Sequence, residues 1–169
     1  MRYKLTLFYV ALIVGVNYAF TVVPPVKLPD GTMWPPVALL VGFVLVARDF
    51  AQREVGHKVL LAMLVGVAIS YFMANPSVAT ASAAAFLISE LVDWAVYTYT
   101  KRPLSQRVLF SSLLGAPVDS AIFLGLLSLL SPAGVAALSP VGIAAMTASK
   151  LIGALIVWWM IRRREHASA

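Results

Sequence analysis

The sequence predicts an all-α integral membrane protein, a bundle of six transmembrane helices. Three observations carry this. Of 169 residues, 61% are hydrophobic and only 12% charged, about half the charge content of ordinary soluble domains. The apolar residues gather into six runs of roughly the length that a ~30 Å hydrocarbon layer requires. Proline-containing breaks separate the runs. Six spans use most of the chain, so residues 1–169 are expected to form a single transmembrane domain.

Each span has its own signals. The first covers residues 5–23 and stops at Pro24-Pro25. The second covers 34–50, begins around Pro35-Pro36 and runs through Arg48-Asp49-Phe50. The third, 59–73, ends before Asn75-Pro76, and the fourth, 78–99, ends before Arg102-Pro103. The fifth, 108–130, stops at Ser131-Pro132. The sixth, 141–161, lies between Pro140 and Arg162-Arg163-Arg164. Proline has no N–H to donate and restricts the residue before it, so it marks helix ends. No extended-strand pattern competes. In hydrocarbon a backbone must satisfy its own hydrogen bonds, which makes the runs helices.

The basic residues orient the bundle. Arg2 and Lys4 precede the first span, Arg48 lies at the end of the second with Arg53 and Lys58 after it, Lys101, Arg102 and Arg107 follow the fourth, and the arginine triplet follows the sixth. All but two of the 13 basic residues therefore fall on one side; Lys27 is opposite and Lys150 lies inside a span. Cytoplasmic loops carry the lysine and arginine excess, so both termini are expected in the cytoplasm of a multi-pass inner-membrane protein. Met1–Lys4 and the following apolar run also fit a signal peptide, but Asn17-Tyr18-Ala19 is a poor cleavage site.

Several functions are excluded or disfavoured. The net charge of +6 is spread over loops and tails, so the expected partner is the lipid bilayer rather than nucleic acid. With no cysteine, disulfides, thiol redox chemistry and cysteine metal sites are ruled out. His57 and His166 read as solvated positions, and no cofactor or metal is expected. No G-x-x-x-x-G-K-[ST] loop occurs, so the chain does not hydrolyse ATP by that route.

Function should lie where the sequence accepts an energetic penalty. Glu90, Asp93, Asp119 and Lys150 fall within spans, where each costs about 2.5–3.5 kcal/mol at a helix centre. Such residues face a bundle interior or cavity and mark the path of a transported species. Counted along their helices, Lys150 and Asp119 sit near mid-membrane, with Glu90 and Asp93 nearer the cytoplasm. One lysine among three acids implies a Lys150–Asp119 or a Lys150–Glu90 pair, leaving at least one acid for a ligand or a proton. On the fourth span Ser82, Phe86, Ser89, Glu90, Asp93 and Tyr97 share one arc at 100° per residue, while Ala84, Leu87, Ile88, Leu91, Val92 and Ala95 form the lipid side. On the fifth, Ser112, Gly115, Ala116, Asp119 and Phe123 share a face. The serines also fit a polar seam between helices. Phe86, Tyr97 and Phe123 could stack on a planar ligand.

Two further features stand apart. Ala11, Gly15 and Ala19 form a small-residue stripe, expected to pack against a neighbouring helix of the same chain or, failing that, a partner subunit. Arg48, Asp49 and Arg53 at the end of the second span fit either a structured cytoplasmic gate or a solvated helix end. An intramembrane aspartyl protease would also use two membrane aspartates, here Asp93 and Asp119, but Leu-Val-Asp-Trp and Pro-Val-Asp-Ser lack the tyrosine and glycine contexts of that chemistry. No enzyme activity is expected.

The set Asn17, Arg48-Asp49-x-x-x-Arg53-x-x-Gly56, Ala81-Ser82-x-x-Ala85-Phe86-x-x-Ser89-Glu90-x-x-Asp93-x-x-x-Tyr97, Gly115-x-x-x-Asp119-Ser120-x-x-Phe123 and Lys150 resembles the vitamin uptake transporter family, which includes queuosine-precursor transporters. The Ser-Glu-x-x-Asp and Val-Asp-Ser segments are the specific part. The resemblance implies inner-membrane uptake of 7-cyano-7-deazaguanine or a related deazapurine, and an architecture like the substrate-binding subunits of energy-coupling-factor importers. It implies that Asp93, Asp119 and Lys150, with Glu90, occupy the family's intramembrane charged sites. A homo-oligomer or an energising partner subunit is compatible with it.

Overall fold

The computed structural model describes residues 3–73, 75–100 and 103–167, with backbone alone for residues 133, 166 and 167. Six long helices form the bundle: α1 (Lys4–Val22), α2 (Ala38–Val55), α3 (Val59–Met73), α4 (Pro76–Tyr99), α5 (Leu104–Leu130) and α7 (Pro140–Ala167), with a short α6 (Pro132–Ala137) after α5. The fold is therefore the expected all-α membrane bundle. The apolar stretch from Ala38 to Met73 is 36 residues long, about 54 Å as one helix at 1.5 Å per residue, far more than a bilayer core. Gly56, at φ +62°, and a single 3-10 turn over Gly56–Lys58 divide it into α2 and α3. That backbone conformation suits glycine, which has no Cβ to clash.

Side-chain contacts fix the directions. Glu54 at the end of α2 accepts from the Thr6 N–H (2.8 Å) and Thr6 hydroxyl (2.7 Å) at the start of α1, so α1 and α2 are antiparallel. Glu165 late in α7 accepts from the N–H and hydroxyl of Ser105 at the start of α5. At this end of the bundle, carboxylates from neighbouring helices thus satisfy N–H groups that a helix leaves unpaired in its first turn. Tyr9 meets Glu90 and Asn17 meets Ser82, which sets α4 antiparallel to α1. At the other end Asn75 accepts from the Ser77 N–H (3.0 Å) and caps α4, with Pro76 at its first position.

The second span differs from expectation at its start. Trp34 is not helical. Val26–Lys27 (β1) and Met33–Trp34 (β2) pair as a small antiparallel hairpin, and helix begins only at Ala38, after Pro35 and Pro36. Gly31 at φ +90° makes the turn. Asp30 accepts from the Thr32 hydroxyl and N–H (2.7 and 3.1 Å), and these bonds hold its carboxyl below the ordinary value. Trp34 Nε1 donates to Ser149 Oγ on α7 (3.0 Å), tying the hairpin down. α5 also begins earlier than predicted, at Leu104, and carries Pro117 inside it. That proline forgoes one helical hydrogen bond, which membrane helices tolerate.

The expected lipid side of α4 is confirmed at its most exposed members, Ile88 and Leu91. The small-residue stripe packs within the chain only at Ala19, which lies against the core. Ala11 and Gly15 are exposed and border an outward apolar groove with Phe8, Leu40, Phe43, Phe50 and Val157, which corrects the expectation of a neighbouring helix at those two positions. Close helix approach occurs instead between α2 and α7. A Cβ on Gly42 would collide with the backbone carbonyl of Lys150, and one on Gly153 would meet the Gly42 backbone. Gly42→Val is therefore expected to force these helices apart, at a cost of about 1–3 kcal/mol for overpacking. Thermal unfolding in detergent would show it as a lowered midpoint.

Candidate functional site

Helix directions and periodicity bring the intramembrane charges to one interior seam. On α4 the inward residues are Ala81, Ala85, Phe86, Ser89, Glu90, Asp93 and Tyr97. On α5 they include Ser111, Ser112, Gly115, Ala116, Asp119, Ser120 and Phe123. Both predicted faces are thus the buried ones, with Ser82 only half-buried. From this seam two separate charge clusters form.

The first joins α5 and α7. Lys150 Nζ lies 2.5 Å from Asp119 Oδ2 and donates to Ser120 Oγ at 2.9 Å. Ser89 donates to the other Asp119 oxygen at 3.1 Å. Of the two pairings left open by the sequence, the structure forms Lys150–Asp119. This pair is neutral overall and well supplied with hydrogen bonds, the condition under which a buried ion pair is tolerable.

The second cluster lies nearer the end that carries the chain termini, and Arg48 is its centre. Its Nη2 is 2.8 Å from Asp49 Oδ1 and 3.4 Å from Asp93 Oδ2, and its Nε is 3.3 Å from Glu90 Oε2. Nη1 donates to Gln52 Oε1 (2.6 Å), which in turn reaches Thr98. Tyr9 donates to Glu90 (2.9 Å) and Ser111 to Asp49 (3.1 Å). Arg48 is 1% exposed, Asp49 and Asp93 0%. Arg48 and Asp49 are therefore neither at a solvated helix end nor in a loop; α2 continues beyond them and buries them. Arg53 alone of the three is exposed. The count of basic residues in the loops and tails of the expected cytoplasmic side loses Arg48, while Arg2, Lys101 and Arg102 lie outside the described residues. Tyr97 closes this cluster, with Arg48 and Arg107 5.9 and 5.2 Å from its ring.

Gly115 is needed for this packing. A Cβ there would fall on the Asp93 carboxylate. Gly115→Ala is expected to displace Asp93 and weaken the fold by about 1–3 kcal/mol, measurable as a lower unfolding midpoint with helix content retained.

A cavity adjoins the first cluster on the hairpin side. Asn17, Phe20, Ser82, Phe86, Phe123, Asp119 and Lys150 border it, with Ile13, Val16, Val41, Val44 and Met146. Ser82 donates to Asn17 at 2.6 Å, and Phe20 packs on Phe123 with ring centroids 5.6 Å apart. Asp119, at 6%, is the most exposed of the four intramembrane charged residues singled out from the sequence, and it is the acid that borders the cavity. The free space there is about 30 Å³, room for about two waters.

The predicted site residues thus divide. Asn17, Phe86, Phe123, Asp119 and Lys150 border the cavity. Glu90, Asp93 and Tyr97 belong with Arg48 and Asp49, and Ser89 stands between the two groups. Asp93 and Asp119 face different cations and do not form the proton-sharing dyad of an aspartyl protease. His57 is exposed, yet its Nδ1 accepts from Trp94 Nε1 at 3.0 Å.

Residues 37–163 match the family model described as "Putative vitamin uptake transporter". The chain belongs to the vitamin uptake transporter family. The match takes in α2 through most of α7, hence both charge clusters; α1, with Tyr9 and Asn17, precedes it. No curated protein and no solved structure matches. Membership of this family and the apolar helices make the protein a multi-pass membrane protein of a transporter family.

Proposed function

We propose that this family member takes up 7-cyano-7-deazaguanine, or a closely related deazapurine, across the inner membrane, with both termini cytoplasmic. The observation that carries the reading is the cavity in which the Lys150–Asp119 pair meets three phenylalanines. A guanine-like edge offers a carbonyl acceptor beside N–H donors. Lys150 can donate to the first while Asp119 accepts the second as charge-assisted bonds. Phe20, Phe86 and Phe123 supply stacking surface for a flat ring, and Asn17 and Ser82 supply amide and hydroxyl groups at the hairpin side. Charge neutrality of the pair suits a neutral ligand, because no net charge is left buried when the site empties.

The test is tRNA queuosine in a precursor auxotroph fed nanomolar 7-cyano-7-deazaguanine. Wild type should restore the modification. Asp119→Asn, which puts a donor where the ring's N–H groups need an acceptor, should lose at least about 2 kcal/mol, more than tenfold in affinity. Wild type equal to empty vector, despite confirmed membrane expression, would reject the deazapurine. Orientation has its own check: a reporter active only in the periplasm, fused at the C-terminus, should stay silent.

A further inference from the structure

We propose that the cluster of Arg48, Asp49, Glu90 and Asp93 is a proton-binding site, and that protons entering and leaving it drive uptake.

The inference starts from a charge count within contact distance. Three carboxylates lie within 3.4 Å of a single guanidinium, and none of the four side chains is more than 1% exposed. Lys150 cannot help, because it is spent on Asp119. Among the described residues the other groups facing the cluster are Tyr9 from α1, Tyr97 from α4 and, against the Tyr97 ring, Arg107 from α5. Asp119 stands beyond Ser89, and the described residues of α3 bring no charged group to it. Fully ionised, the cluster itself would hold two uncompensated negative charges in a dry site. Each would cost several kcal/mol, and taking up a proton removes that cost.

Hydrogen bonding indicates where the proton resides. Asp49 is the best-supported carboxylate, 2.8 Å from Arg48 and accepting from Ser111. It is the permanent counter-ion. Both Asp49 oxygens are engaged, Oδ1 by Arg48 and Oδ2 by Ser111, whereas Glu90 Oε1 and Asp93 Oδ1 have neither a hydrogen bond nor an ion-pair contact. Such a buried carboxylate oxygen is costly unless it carries a hydrogen. The proton belongs to the Glu90–Asp93 pair, one helical turn apart on α4 and joined through Arg48. Arginine stays charged throughout.

The position suits coupling. Glu90 follows Ser89 in the chain, and Ser89 holds Asp119 beside the cavity. Charge at Glu90 therefore acts on the pair that would hold the ligand, a deepening that rests on the uptake reading above. The step is acid–base only. On the hairpin side an O–H bond of a hydronium ion breaks as a Glu90 or Asp93 oxygen forms its own, leaving water. At the opposite end the carboxyl O–H breaks and the proton returns to water. One positive charge crosses with a neutral ligand.

The site is tested without any ligand by infrared spectroscopy of the purified protein in lipid at neutral pH. A protonated carboxylic C=O band is expected. It should shift in D₂O, and it should weaken or vanish in both Glu90→Gln and Asp93→Asn. Absence of the band in wild type overturns the proposal. So does a band that does not shift in D₂O, since a locked proton is only structural. Coupling is then read in proteoliposomes containing a pH-sensitive dye. Adding 7-cyano-7-deazaguanine outside should acidify the interior, and an inward proton gradient should speed uptake several-fold. Uptake with neither effect overturns proton drive while leaving the uptake reading intact. No uptake, with an exchangeable band present, rejects the deazapurine and upholds the proton site.

Discussion

Arg48→Met is expected to be the most damaging single substitution in the chain. Arg48 is the only cation within ion-pair distance of Asp49, Glu90 and Asp93 among the described residues, all buried. Removing one partner of a buried ion pair costs about 3–5 kcal/mol, and here one substitution strands three acids. That is comparable with the whole stability of many domains. The variant should fail to give monodisperse protein in detergent, or should unfold at a much lower temperature than wild type. Arg48→Lys keeps the charge but not the fork that reaches three carboxylates at once. It should fold better than Arg48→Met yet transport poorly. Normal stability of Arg48→Met, with no added protonated carboxyl in its infrared spectrum, would show that the acids are solvated and the cluster misassigned.

Lys150→Met should come next. It leaves Asp119 with one hydrogen bond from Ser89 but no counter-charge, again about 3–5 kcal/mol for an uncompensated buried charge. Joining it to Asp119→Asn removes both charges together and should restore much of the lost stability, without restoring transport. The double-mutant cycle isolates the pair. If the two losses simply add, the 2.5 Å contact is not an energetic interaction. The same cycle between Lys150 and Glu90 should show far weaker coupling, because Glu90 pairs with Arg48.

How much of this was legible in the sequence depends on which signal each residue carries. The inward faces of α4 and α5 were readable because Glu90, Asp93 and Asp119 are costly in hydrocarbon and recur at helical spacing among apolar residues. The split into two clusters was not, because depth along a helix does not say which neighbour stands opposite. Arg48 was left between a cytoplasmic gate and a solvated helix end for a physical reason. The apolar run falters after Val46, and an arginine there reads as the solvated end of a span. Yet Val41, Val44, Leu45, Arg48 and Gln52 lie on one buried stripe of α2, and three acids facing one lysine already left the interior short of a cation. That imbalance was the signal that could have found it. Tyr9 carried none, being one aromatic residue among many in an apolar helix. The hairpin was signalled by Asp30-Gly31, a common turn pair, but its two-residue strands were too short to show alternation. Gly42 and Gly115 illustrate the remaining limit: a glycine in a helix does not reveal whose atoms occupy the space beside it.

Uptake of labelled 7-cyano-7-deazaguanine into liposomes reconstituted with this protein alone tests the central claim most directly. Wild type should give saturable uptake, competed by unlabelled compound and lost in Asp119→Asn protein shown to be folded in the liposomes. It should need no ATP and no second subunit. Wild-type protein shown to be folded in the liposomes, yet admitting no more label than protein-free vesicles, would contradict the account.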